Sequence, residues 1–295
     1  MIQNRFRGLG IALVTPFRHD GSIDFDALNR LVEYQIRGGA DFLCIMGTTA
    51  ETPTLTKQEK QQLKEHLVER VAGRVPLLMG CGGNCTAAVV DEIEHADWRG
   101  IDGILSVCPY YNKPSQEGLY QHYKAIAEAS PLSVVLYNVP GRTGVNMTAE
   151  TTLRLAADFE NVVAVKEASG NITQMDDIIK NIPAHFDVIS GDDGITFPLI
   201  TLGAVGVISV IGNALPAEMS RMVRLALRGE YDSARNIHHK FTELFKLLFV
   251  DGNPAGVKAM LSEMGMIGNY LRLPLVPTRL TTMQQISEIV RELGY

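Results

Sequence analysis

No run of apolar residues in this chain approaches the roughly 18 needed to cross a bilayer as a helix. Positive charge is scarce. Lys and Arg number 27 against 33 Asp and Glu, for a net charge of −6. A protein of that sign is a poor partner for nucleic acid or an anionic membrane. It can still bind an anionic substrate if its site supplies cations locally. Cysteine is sparse: Cys44, Cys81, Cys85 and Cys108. Three of them sit in apolar, strand-like runs, as reduced core thiols of a cytosolic protein do. Cys81 and Cys85 form C-x3-C, but no histidine or second cysteine pair lies near, so no metal site is expected. GCGGN at 80–84 lacks the lysine of a P-loop. Arg5 and Arg7 precede an apolar stretch with no small-residue cleavage site after it. That stretch reads as a first strand rather than a signal peptide, and the expected location is cytoplasmic.

What the chain does have is alternation. Short apolar runs at 11–17, 42–47, 75–81, 103–109, 133–140, 162–168, 187–191 and 206–210 read as strands. Their apolar character is nearly continuous, as expected for parallel strands covered on both faces. Helical patterns lie between them. One starts at acidic residues near Asp24 and stops at Gly38-Gly39. Another starts at Thr56 with Glu59 three residues on, a capping box. Others begin near Thr86, Ser115, Thr148, Ile172, Thr196 and Pro216. Eight consecutive βα units predict an α/β fold, a (β/α)8 TIM barrel over residues 1–228 that carries the active site. A doubly wound sheet is the other arrangement this order permits. Residues 229–295 hold helical periodicity and no good strand. They read as C-terminal helices packed on the barrel, with His238 and His239 structural.

Barrel active sites lie at the C-terminal ends of the strands, and one strand end stands out. VVAVKEASG, residues 162–170, sets Lys166 in a buried strand, where a lysine without a partner is rare. It reads either as an amine snorkelling to the surface or as a nucleophile. An amine attacks a carbonyl only when neutral, and apolar surroundings favour that form. Tyr137, one strand earlier, is a core tyrosine or a proton shuttle for such an amine. Thr48 and Thr49 follow a glycine at the second strand end. Such a turn suits a carboxylate, or simply caps a helix. Arg142, in PGRTG, is a loop arginine or a bidentate carboxylate clamp. Asp192-Asp193 lack a histidine ligand and read as a solvated or supporting pair.

GTTAET, PYYNKPSQEGLYQH, YNVPGRTG, VKEASGN, SGDD and GVISV follow in that order, on the predicted strand ends. Together they resemble the dihydrodipicolinate synthase family, pyruvate-dependent class I aldolases akin to N-acetylneuraminate lyase. The resemblance runs from about Gly8 through RLPLVP at 272–277. It implies a Schiff base between Lys166 and pyruvate, with Tyr137, Thr48 and Tyr111 as a proton relay. Tyr111 would reach in from a neighbouring subunit. Thr49 and Ile208 would hold pyruvate, and Arg142 the carboxylate of L-aspartate 4-semialdehyde. No cofactor or metal is implied. The expected assembly is a homotetramer built as a dimer of dimers, or a dimer. Two residues depart from the family pattern, Ala50 for a usual glycine and Gly141 for a common serine. If position 50 needs positive φ, alanine is strained there. Arg142 and Tyr111 in their contexts favour the synthase over a sister sugar-acid aldolase. A non-catalytic oxo-acid sensor would lack Lys166 or Tyr137. Lysine-sensitive members bind lysine between subunits. At the matching positions Asn84 and Tyr110 are retained, Ala88 replaces a glutamate, and Lys57 and Lys60 replace histidines.

Overall fold

The computed structural model describes residues 5–294. Eight parallel strands close into a barrel in chain order: β1 (Gly8–Ala12), β2 (Phe42–Ile45), β3 (Leu77–Gly80), β4 (Gly103–Val107), β5 (Ser133–Asn138), β6 (Val162–Glu167), β7 (Asp187–Ser190) and β8 (Gly206–Ser209). β1 pairs with β8 through Leu9 beside Val207 and Gly10 beside Ile208. That closure excludes the doubly wound alternative. Nearly every strand residue is buried. The helices around the barrel therefore cover the outer face, as continuous apolar runs require.

Local signals place most helices. Asp24 caps the helix Phe25–Arg37 through Ala27 N–H. Thr56 and Glu59 exchange both bonds of a capping box ahead of Lys57–Val71. Ser115 and Thr148 accept from Gly118 N–H and Thr151 N–H. Each such cap satisfies a donor that the helix itself cannot.

Two boundaries differ from expectation. β1 is Gly8–Ala12, not 11–17. Glycines discourage a strand assignment, but a Cβ on Gly10 would fall 2.2 Å from the Phe42 ring, so packing demands glycine inside this strand. Residues Leu13–Phe17 are buried but continue beyond the sheet. The helix expected near Thr196 starts at Asp193, because Asp192 caps it through Gly194 N–H.

Past the eighth unit, which ends with Pro216–Leu227, come the helices Tyr231–Leu247, Ala255–Glu263 and Leu280–Glu292. The first packs on the helices Asp193–Leu202 and Pro216–Leu227. Its far end, with the turn after it, overhangs the C-terminal mouth of the barrel.

Candidate active site

A cavity of about 500 Å³ opens at the C-terminal strand ends, lined in part by Thr48, Thr49, Tyr137, Arg142, Lys166 and Asn253. Strand alternation sorts two adjacent ionisable residues of β6. Successive side chains point to opposite faces, so Lys166 lines the cavity and Glu167 does not. The Glu167 carboxylate is satisfied on its own side. It accepts from Asn138 Nδ2 at 3.0 Å, Ser169 N–H at 2.8 Å and Gln174 Nε2 at 3.2 Å.

Lys166 is 7% exposed, and no residue forms an ion pair with it among the described residues. Its neighbour in register is Tyr137 on β5, and its Nζ lies 4.3 Å from the Tyr137 ring centroid. Burial pushes the Cys44 thiol up to about 11, with the charge of Lys166 pulling the other way. That thiol is protonated at neutrality and offers no counter-charge. Gly191, at the end of β7, makes room. A Cβ there would stand 3.2 Å from Lys166 Cε and 2.7 Å from Ala168 Cβ.

The turn after β2 carries the hydroxyls. Thr48–Ala50 form one 3-10 turn after Gly47. Thr49 is buried, and its Oγ1 accepts from Asn253 Nδ2 at 2.9 Å. Its own proton remains available to a ligand, since a hydroxyl both accepts and donates. Left-handed backbone falls on Met46 at φ 52 and Glu51 at φ 56, not on Ala50. Alanine is therefore unstrained at position 50. Arg142 sits on the short turn Pro140–Thr143, exposed and at the cavity wall. A Cβ on Gly141 would meet nothing within 4 Å, so a serine there would fit and its absence leaves the wall unchanged.

Asp193 ties the ends of β7 and β8 together. Its buried carboxylate accepts from Val210 N–H and Ile211 N–H, both at 2.9 Å. Burial pushes its pKa up to about 6 despite those bonds. Of the Asp192-Asp193 pair, then, one caps a helix and the other is a buried clamp.

Thr48, Thr49, Tyr137, Arg142 and Lys166 thus meet around one cavity. Two expected residues do not line it. Ile208 is buried within β8, and Val210 lines the wall instead. Tyr111 is 89% exposed at φ 72 and lies outside the cavity of its own chain. A smaller cavity of about 370 Å³ shares Gly47, Thr48, Tyr137 and Arg142 and adds Lys60 and Tyr110, with no acidic residue in its lining.

The model of the dihydrodipicolinate synthetase family matches residues 5–293. This chain belongs to that family. A curated relative from Phocaeicola vulgatus, named 4-hydroxy-tetrahydrodipicolinate synthase, is 71% identical over 99% of both chains. One of the same name from Parabacteroides distasonis is 68% identical, over 100% of this chain and 99% of its own. The crystal structure of dihydrodipicolinate synthase from Thermotoga maritima superposes with a TM-score of 0.96 at 44% identity, covering 99% of each chain. Membership makes the chain an enzyme, a lyase of the class I aldolase type.

Within this family member the cavity wall also includes Thr242, Phe245 and Lys246 of the helix Tyr231–Leu247, with Phe249 and Asn253 after it. Sequence reasoning gave these no part in the site. Nothing local in the sequence ties Asn253 to Thr49, its hydrogen-bond partner 204 residues earlier.

Proposed function

We propose that Lys166 is the Schiff-base nucleophile of a 4-hydroxy-tetrahydrodipicolinate synthase. The observation that carries this reading is a buried amine at a cavity wall with no ion-pair partner among the described residues and a phenol beside it. Structural lysines acquire a partner when buried. One left without a carboxylate has no ion pair to break before it attacks a carbonyl.

The amine adds to the ketone of pyruvate and water leaves, giving a protonated imine. The imine acts as electron sink, so the methyl carbon loses a proton and becomes an enamine. The enamine attacks the aldehyde of L-aspartate 4-semialdehyde. The amine of that substrate then closes the ring and displaces Lys166. The lysine supplies the sink, so the scheme calls on no cofactor.

Tyr137 is the proton donor and acceptor of this scheme, placed by its register beside Lys166. Thr48 continues the relay, and Tyr111 of the partner subunit completes it. The exposure of Tyr111 on left-handed backbone suits a residue that serves another copy. Thr49 holds the pyruvate carboxylate, with backbone help near Ile208. The Arg142 guanidinium, free of any ion pair among the described residues, takes the carboxylate of the semialdehyde in a forked pair. The expected assembly is a dimer or a homotetramer of two such dimers, in the cytoplasm.

A paired assay tests the reading. Pyruvate with L-aspartate 4-semialdehyde should turn over, and pyruvate with N-acetylmannosamine should not. Turnover of the second pair alone would assign the chain to the sister sugar-acid lyases.

A further inference from the structure

The turn that carries Thr48 and Thr49 ends on Glu51, and Glu51 has three unusual properties. It is not glycine, yet its backbone is left-handed at φ 56, a region that side chains disfavour. Its carboxylate is buried, with the whole residue 1% exposed. Both carboxylate oxygens are engaged by the C-terminal segment. Oε1 accepts from Lys258 Nζ, and Oε2 accepts from Arg272 N–H at 3.0 Å.

Lys258 is itself fully buried, on the helix Ala255–Glu263. Its Nζ also donates to the Tyr270 carbonyl at 3.0 Å and stands 4.2 Å from the Phe17 ring centroid. The Arg272 guanidinium lies 4.4 Å from the same centroid and donates to the Thr54 and Gly21 carbonyls and to Glu59. Two further bonds reach the turn itself. Thr15 Oγ1 donates to the Ala50 carbonyl at 2.8 Å, and Asn253 Nδ2 donates to Thr49. The turn is thus gripped from behind, largely by residues some 200 positions away in sequence.

We propose that Glu51 and Lys258 are positioning residues: their buried ion pair holds the Thr48–Glu51 turn in the one backbone geometry that presents Thr49 to the pyruvate carboxylate and Thr48 to the proton relay. This rests on the pyruvate reading given above. Neither residue lines the cavity, so neither touches substrate. Glycine at position 51 would reach left-handed φ without strain, and apolar residues of similar volume would bury as favourably as an ion pair. What a glutamate locked by a lysine adds is a single, directed conformation rather than cohesion.

The experiment separates positioning from mere stability. Glu51→Gln keeps the shape of the side chain, and the double variant Glu51→Gln/Lys258→Met removes both charges together, so that neither is left buried alone. Both are followed by borohydride trapping over a pyruvate titration, by steady-state turnover and by thermal unfolding. The expected result is a pyruvate half-saturation raised about tenfold or more, a lower rate at saturating pyruvate because Thr48 of the relay shares the turn, and a double variant that unfolds near the parent temperature. The raised half-saturation belongs to Thr49 and lost ground-state binding, and the lower rate to Thr48 and the relay. Half-saturation within about twofold of the parent in both folded variants would overturn the inference and leave the pair structural. A fall confined to the saturated rate would overturn it as well, since the turn would then not be the carboxylate site. A parent that pyruvate and borohydride do not trap at all would overturn the pyruvate reading, and the inference with it.

Discussion

Lys64, Lys166 and Lys258 are all buried, at 5%, 7% and 0% exposure. Two of them sit in structural settings. Lys64 Nζ donates to the Asp97 carbonyl at 2.6 Å, and Lys258 has Glu51 and the Tyr270 carbonyl. Burial pulls Lys258 down to about 8 against the attraction of Glu51, which leaves it charged at neutrality. Lys166 has no ion-pair partner among the described residues, and the Tyr137 ring face and the protonated Cys44 thiol lie near it. Burial alone is thus no signature of chemistry. Burial of an ionisable group that the fold has given no counter-charge marks a candidate for chemistry.

The same substitution should therefore do opposite things at two of these sites. Lys166→Met should abolish turnover, by roughly 10⁴-fold or more, as expected on deleting a nucleophile. It should leave thermal stability equal to the parent or higher, since it removes a buried amine that has no ion-pair partner among the described residues. Loss of the fold in Lys166→Met would break the contrast. Tyr137→Phe should lower turnover by about 10²–10⁴-fold with the fold intact, the usual cost of a lost acid–base group. Turnover within a few fold of the parent would remove Tyr137 from the relay.

Lys258→Met should cost about 3–5 kcal/mol in denaturant unfolding, because the Glu51 carboxylate is left buried and unpaired. Glu51→Gln/Lys258→Met should recover most of that. If the double variant is no more stable than Lys258→Met, the pair contributes through packing rather than charge.

Much of the barrel was legible in the sequence because its signals are local. An apolar run of strand length, a capping box such as Thr56–Glu59 and a glycine stop each lie within a few residues. Lys166 was legible for the same reason, as a charge inside its own strand. Where packing decides, local reading failed. β1 tolerates Gly10 only because the Phe42 ring fills the missing Cβ. The grip on the Thr48–Glu51 turn was invisible, since Asn253 and Lys258 lie 204 and 207 residues from their partners. Ala50, which would have been strained only if its position needed positive φ, is ordinary because the positive φ falls on Glu51.

The smallest effect concerns an anion-favouring neighbour of the site. The cavity that adjoins the active site carries Lys60 and no acidic residue, and a ligand with two ammonium groups lacks a charge-assisted partner there worth about 1.5–3 kcal/mol. L-Lysine should leave turnover unaffected below about a millimolar. Half-inhibition at lower concentration would show that another acid receives it.

The contrast between lysines is tested most directly by chemistry on the parent protein. Pyruvate and borohydride, added together, should fix one adduct per chain, and peptide mapping should place it on Lys166, with Lys64 and Lys258 unmodified. An adduct on any other lysine, or none under conditions that support turnover, would contradict the account.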